Sequence, residues 1–216
     1  MTFIEILKNS LPVLLQGMRM TLVISMSSIL FAIFIGLVVS LMRLSGGKIP
    51  DLLAKGYVDI IRGTPLIIQA FFLYFGIPDI LKIRIDNLTA GIIIISLNAG
   101  AYMSEVFRGG ILSVSNGQTE AARSLGLSKG KTMWKVIIPQ AVKNMVPAFV
   151  NQMIISLKDT SLLSVIGLGE LTQRGQIIVA ATYNSFEIYF IIGVMYFTMI
   201  KLISLLGDLV ERKLSL

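Results

Sequence analysis

The 216-residue chain contains no cysteine and no histidine. Without cysteine there is no disulfide framework, no thiolate metal site and no thiol nucleophile. Without histidine the commonest general base and the commonest metal ligand are both missing. Hydrolytic and metalloenzyme chemistry therefore have few candidate groups. Charge is scarce as well: Asp, Glu, Lys and Arg make up 14% of the residues, against about 25% in an ordinary soluble domain. What is abundant is apolar surface, at 55% hydrophobic residues. So few polar side chains could not cover a water-soluble fold. Disorder is excluded because it requires low hydrophobicity and high charge. At roughly 150 residues per domain, the length fits one domain.

The apolar residues are gathered into runs. A bilayer core of about 30 Å takes roughly 20 helical residues, and five runs approach that length. The first, 20–42, carries no charge at all. It is longer than a signal-peptide core and is followed by no small-residue cleavage site, so a retained span is expected. The others are 58–75, with Asp59 and Arg62 near one end; 88–106; 145–166, interrupted by Lys158 and Asp159; and 188–206. Between the last two, 167–181 is weakly apolar and expected to be a short re-entrant or surface helix. The expected fold class is an all-α integral membrane protein with five transmembrane helices, one domain over 1–216.

An odd number of spans puts the termini on opposite sides. Lys and Arg gather in cytoplasmic connections. With the N-terminus outside and the C-terminus cytoplasmic, 13 of the 19 basic residues fall inside and four (Lys8, Lys82, Arg84, Arg174) outside. The asymmetry sets the orientation. It also disperses the net charge of +7 over several short loops, which does not suit nucleic-acid binding.

The longest connection is 107–144, and its centre reads TEAARSLGLSKGKTMWKVIIPQA. Gln118 and Glu120 to Leu125 are good helix formers. Gly126 interrupts, and Ser128 can cap a second short helix. That helix presents Met133, Trp134, Val136 and Ile137 before Pro139 is expected to stop it. Ala121 and Ala122 allow a partner backbone to come close, Gly126 tolerates the positive φ of a sharp bend, and Trp134 is a large apolar anchor. Glu120 also suits the first turn of a helix. Two readings stand: a docking surface for a partner, or an amphipathic helix lying on the inner leaflet. Gly126 to Thr132 resembles a phosphate-binding loop only superficially. That loop needs four residues between its glycines, whereas three separate Gly126 from Gly130 and no strand precedes them.

At this loop the chain resembles the membrane subunits of type I importers of the ATP-binding-cassette (ABC) class, whose EAA loop reads E-A-A-x3-G-x9-I-x-L-P. Here Glu120, Ala121, Ala122, Gly126, Val136, Ile138 and Pro139 match in spacing, with Val136 and Ile138 as conservative departures. The stretches IRGTPLIIQAFFLYFGIP (61–78), NAGAYMSEVFRGGI (98–111) and LKDTSLLSVIGLGEL (157–171) are similar to the polar amino-acid uptake branch. The resemblance implies the type I ABC importer permease fold. It also implies a second membrane subunit (a homodimer is preferred), two cytoplasmic ATPase subunits and an extracytoplasmic amino-acid-binding protein in a bacterial inner membrane. Glu120, Ala121, Ala122, Gly126, Trp134 and Pro139 would then couple to the ATPases. ATP and Mg would sit on those partners, with no cofactor, no metal and no catalytic residue on this chain. The substrate would be a polar or basic amino acid of the arginine, histidine or glutamine class.

Ionisable and polar groups inside a bilayer are costly, which makes each a functional candidate. Asn98, Tyr102 and Glu105 fall at i, i+4 and i+7, on one helical face. For Asn98 and Tyr102 the alternative to substrate contact is a helix–helix hydrogen bond. For Glu105 it is a structural pair with Arg108 or Lys158. Asp159, Thr160 and Ser161 are N-cap residue types where a span should be continuous, so a broken helix is expected, its first half ending near Lys158. Irregular backbone at that depth must line a cavity, and free amides at a new N-terminus favour an anion. Backbone and hydroxyls of Thr160, Ser161 and Leu162 would then take an amino acid's α-carboxylate. The alternative is a Lys158–Asp159 gate. At 62–65, Thr64 and Pro65 read as a helix start or a hinge. The rival function is a secondary transporter or channel driven by ion gradients. It predicts an internal repeat, which the sequence does not show, and it leaves the EAA loop unexplained.

Overall fold

The computed structural model describes residues 2–215, and within them every regular element is a helix. The first helix, α1 (Phe3–Leu44), opens with a capping box. Glu5 N–H donates to the Thr2 hydroxyl, and Thr2 N–H donates to the Glu5 carboxylate at 2.9 Å, satisfying two amides that a helix start leaves free. At 1.5 Å per residue α1 is about 63 Å long. It is the spine of the fold, packing against α5 (Asn87–Leu112), α8 (Ile138–Asp159), α9 (Leu171–Thr182) and α10 (Ser185–Ser215). Its approach to α5 depends on Gly36, where an added Cβ would lie 2.6 Å from the Cβ of Met103. Ser28 ties the same two helices by donating to the Ile92 carbonyl at 3.2 Å.

After α2 (Lys48–Gly63) the chain turns through 107° before continuing over Leu66–Leu81. That second arm consists of α3 (Leu66–Phe71), a π-helical turn (Phe72–Gly76) and α4 (Ile77–Leu81). The apolar run 58–75 is therefore not one straight helix. Pro65 forces the bend: it excludes the helical region for the residue before it, and Thr64 is extended, at φ −123° and ψ 145°. The Gln69 amide fills the corner, donating to the Ile61 carbonyl at 2.8 Å and the Thr64 carbonyl at 3.1 Å.

The long connection 107–144 forms α6 (Asn116–Ser124), α7 (Lys129–Thr132) and a second π-helical turn, Met133–Ile137, leading directly into α8. Pro139 was expected to stop this helix, but it sits in the first turn of α8 and the chain continues. Both π turns end two residues before a proline, Pro78 and Pro139. A proline ring clashes with the carbonyl four residues earlier, here that of Tyr74 or Lys135. Each of those lies inside the widened turn, so the π register makes room for the ring.

Three helices, α1, α5 and α10, are long and apolar enough to cross a bilayer, and the bent pair makes a fourth if taken as one span. At 22 residues, about 33 Å, α8 is long enough, but its prolines, asparagines, glutamines and lysines leave it too weakly apolar to join them by composition. Burial orders them in the fold. The apolar window of α5 is 61% buried and that of α10 only 22%, so α5 is the central helix and α10 a peripheral one.

Candidate functional site

The polar face anticipated on α5 borders a cavity of about 490 Å³ between α2, α5 and α8. Arg62, Tyr102, Glu105, Asn144, Asn151 and Gln152 line it. The Arg62 guanidinium lies over the Tyr102 ring, 5.3 Å from its centroid, a cation–π placement. Tyr102 and Glu105 thus come together as expected from their spacing. The α8 contributors went unrecognised in the sequence. Their signal was present, since Asn144, Ala148, Asn151 and Ile155 recur at i, i+4, i+7 and i+11 and all line the cavity.

Glu105 is held in place. Arg43 of α1 donates to one carboxylate oxygen, and Arg108, one turn along α5, donates to the other at 2.9 Å. Arg43 also reaches Asp51 of α2 at 3.8 Å. Three helices are therefore clamped at one end by a cluster of two guanidinium groups and two carboxylates.

Asn98 lies outside the cavity. It is buried and donates to the Gln69 side-chain oxygen at 3.1 Å. Its contact is with the residue that fills the α2–α3 corner, so here the helix–helix bond is the observed arrangement.

At 158–162 the structure corrects the expectation of a fresh helix start. The chain tightens from α8 into a 3-10 segment, Thr160–Ile166, with right-handed helical dihedrals at Asp159 and Thr160. Thr160 donates its hydroxyl to the Leu157 carbonyl and Ser161 to the Lys158 carbonyl, each at 2.7 Å. Both hydroxyls are committed to the backbone behind them, and the amides remain inside a continuing helix. N-cap residue types can make such backward bonds mid-helix, which is why their presence did not mark a break. Lys158 is exposed and Asp159 half-buried. Among the described residues neither is within ion-pair distance of a partner.

The interruption comes later, at Gly167 with φ +71°, followed by Glu170. This residue went unnoticed in the sequence, since Glu is an uncommon cap type. Its fully buried carboxylate accepts from the amides of Thr172 at 2.9 Å and Gln173 at 2.7 Å, and from the Tyr196 hydroxyl at 2.9 Å. Burial pushes the Glu170 carboxyl up, while those amides pull it back down. A carboxylate at the start of α9 also complements its dipole.

The loop presents a separate surface. Gly126 adopts φ +83°, the left-handed conformation that glycine takes without strain. Ser128 then accepts from the Lys131 amide at 3.4 Å to start α7. Arg123 donates to the Leu127 carbonyl at 2.8 Å and stiffens the bend. Ala122 faces inward, while Glu120 and Ala121 are exposed. Leu125 is 84% exposed and Trp134 73%, an apolar pair flanking the glycine turn. Trp134 was singled out in the sequence and Leu125 was not.

Comparison with known proteins gives a consistent set. A family model described as "Binding-protein-dependent transport system inner membrane component" matches residues 32–216. The arginine transport system permease protein ArtQ of Bacillus subtilis (strain 168) is 39% identical over 205 residues, covering 95% of this chain and 94% of ArtQ. The glutamine transport system permease protein GlnP of Escherichia coli (strain K12) is 39% identical over 208 residues, covering 96% and 95%. A crystal structure described as an amino acid ABC transporter with histidines superposes with a TM-score of 0.93 at 39% identity, covering 99% of both chains. The MetNI methionine ABC transporter, at 24% identity and a TM-score of 0.79 over 94% and 97% of the two chains, shares the fold.

Proposed function

The chain belongs to the family of binding-protein-dependent transport system inner membrane components and is the permease subunit of an amino-acid importer of the ABC class, and from that premise we infer how it handles its substrate. The path runs along the face of α5 and α8 that carries Tyr102, Asn151, Gln152 and Lys158. The observation that carries this is the adjacency of Lys158 and Asp159, an ammonium and a carboxylate in neighbouring positions with no ion-pair partner among the described residues. A free amino acid is a zwitterion. Lys158 pairs with its α-carboxylate and Asp159 with its α-ammonium, and Thr160, Ser161 and Leu162 shape the wall beside them.

In this account the cavity at Tyr102 is the next station toward the cytoplasm. Glu105 supplies no free negative charge there, because Arg43 and Arg108 occupy it. Asn98 acts through Gln69. Recognition of backbone charge rather than side-chain charge suits polar as well as basic amino acids, in keeping with ArtQ and GlnP, whose names specify arginine and glutamine.

Five spans complete the topology, with the bent arm 48–81 as the second and α8 with its 3-10 extension as the fourth. The N-terminus is outside and the C-terminus cytoplasmic, in the inner membrane of a bacterium. Two copies of the chain form the pore. Each lays Glu120, Ala121, Ala122, Gly126 and Trp134, with Pro139 at the root of α8, against one of two ATPase subunits. ATP and Mg bind on those subunits, and an extracytoplasmic binding protein delivers the amino acid.

The test is uptake by the reconstituted complex carrying Lys158→Gln or Asp159→Asn. Each change removes a charge-assisted contact worth about ten- to a hundred-fold in affinity, so KM rises by that factor while ATPase assembly is unchanged. An unaltered KM in both variants would remove the zwitterion site.

A further inference from the structure

One feature of the fold plays no part in that path. On the side of α8 turned away from the polar cavity, a groove runs between α1, α8 and α10. It consists of two connected hollows of about 270 Å³ and 320 Å³ that share Phe149, Met153 and Ile203. Its lining reaches from Leu157 to Val146 on α8, eleven residues or about 16 Å. That is close to half of a bilayer core about 30 Å thick, and it covers the half of α8 farther from the coupling loop, its loop-side end lying at Val146 near the middle of the helix. On α10 the lining follows Ile203, Leu206, Gly207 and Val210, one helical row.

Both rows end in lysine at the loop side. Lys143 lies three residues before Val146, and Lys213 three residues after Val210, each on the continuation of its row. Both are exposed, and no carboxylate lies within ion-pair distance of either among the described residues. The nearby acids of α10, Asp208 and Glu211, each follow a lining residue by one position, a rotation of about 100° off the row. The groove therefore has an apolar slot one leaflet deep and a cationic mouth. Helix–helix interfaces within membranes favour small residues that let backbones approach. Apart from Ser25 and from Gly207, which packs against Val150, this lining is made of larger apolar side chains such as Phe149, Met153 and Leu206, which leave a slot that suits an acyl chain.

We propose that this groove binds an anionic phospholipid of the cytoplasmic leaflet, one acyl chain between α1, α8 and α10 and the phosphate between Lys143 and Lys213. The leaflet rests on the orientation given above; the lipid site itself does not. An acyl chain there fills the gap between α10 and the rest of the bundle, so the lipid acts as a wedge at the peripheral helix.

Native mass spectrometry of the intact complex, membrane and ATPase subunits together, with added phosphatidylglycerol or phosphatidylcholine tests it. Phosphatidylglycerol binds at least tenfold tighter. The Lys143→Gln/Lys213→Gln variant lowers its affinity about thirty-fold, some fivefold for each lysine near an anionic surface, and leaves phosphatidylcholine unchanged. Lys201→Gln, two residues from Ile203 and off the lining row, has no effect. Equal affinities for the two lipids, or equal losses in the double variant and in Lys201→Gln, would overturn the proposal. The chain has no cysteine, so Leu206→Cys reports cleanly on a second occupant. Disulfide-linked dimers of that variant in native membranes would show the groove covered by another copy and would also overturn it. Labelling of Lys143→Cys by a membrane-impermeant thiol reagent only in inside-out vesicles supports the cytoplasmic leaflet. Labelling only from outside, with the phosphatidylglycerol preference intact, would overturn the orientation and the leaflet while sparing the lipid contact.

Discussion

Arg43 on α1 donates to the carboxylate of Glu105 on α5, joining two positions 62 residues apart in the chain. With Arg108 on the other oxygen, the carboxylate is fully engaged within the protein. Glu105 is 23% exposed, so the cluster is only partly screened by solvent. Removing one partner of a buried ion pair costs about 3–5 kcal/mol, and partial exposure reduces this to roughly 2 kcal/mol. Glu105→Gln therefore lowers the melting temperature of the purified complex and the yield of folded protein. It leaves the ratio of arginine to glutamine uptake unchanged in what survives. A shift of that ratio toward neutral substrates would instead make Glu105 a selectivity residue.

Asn98 separates structural from substrate roles in the same way. Asn98→Ala leaves the half-buried Gln69 oxygen without its donor, at a cost of about 1 kcal/mol. The α2–α3 corner loosens, which distance measurements between spin labels on the two arms would register as a broader distribution. KM for uptake stays at the wild-type value.

The hydroxyls at 160 and 161 give a prediction opposite to the one their residue types suggest. Ser161 donates to the Lys158 carbonyl, so Ser161→Ala leaves substrate affinity unchanged in an uptake assay. Strongly weakened uptake would mean that the hydroxyl leaves its backbone partner to meet the substrate.

What was legible in the sequence was whatever depends on local pattern. The long uncharged run gave α1, the i, i+4, i+7 spacing gave the shared face of Tyr102 and Glu105, and the glycine and serine of the loop gave the α6–α7 turn. Less legible was whatever depends on geometry across the fold. Hydropathy averages over the bend, so one apolar run covered two arms, although Thr64 and Pro65 locally read as a helix start or a hinge and α3 does begin just after Pro65. The π turns before Pro78 and Pro139 leave no mark in composition, because the widened register answers a clash rather than a residue preference. Arg43 meets Glu105 only once α1 and α5 are packed, and Glu170 becomes a buried cap only when Tyr196 of α10 closes over it.

The proposed coupling role rests on the exposed pair beside Gly126, Leu125 and Trp134. Trp134→Ala removes a large docking anchor and weakens ATPase association about thirty-fold, measurable by co-purification or surface binding. Gly126→Pro fixes φ near −65° where +83° is required, so ATP hydrolysis becomes uncoupled from uptake while the spans remain inserted. Normal association and uptake in both variants would contradict the coupling role.

The most direct measurement is uptake of labelled arginine, histidine, glutamine and glutamate by proteoliposomes holding this chain with its ATPase, with ATP supplied on the ATPase side and the binding protein on the other. The account predicts accumulation of a polar or basic amino acid that requires both ATP and the binding protein. Uptake that follows an imposed proton or sodium gradient and ignores ATP would contradict it.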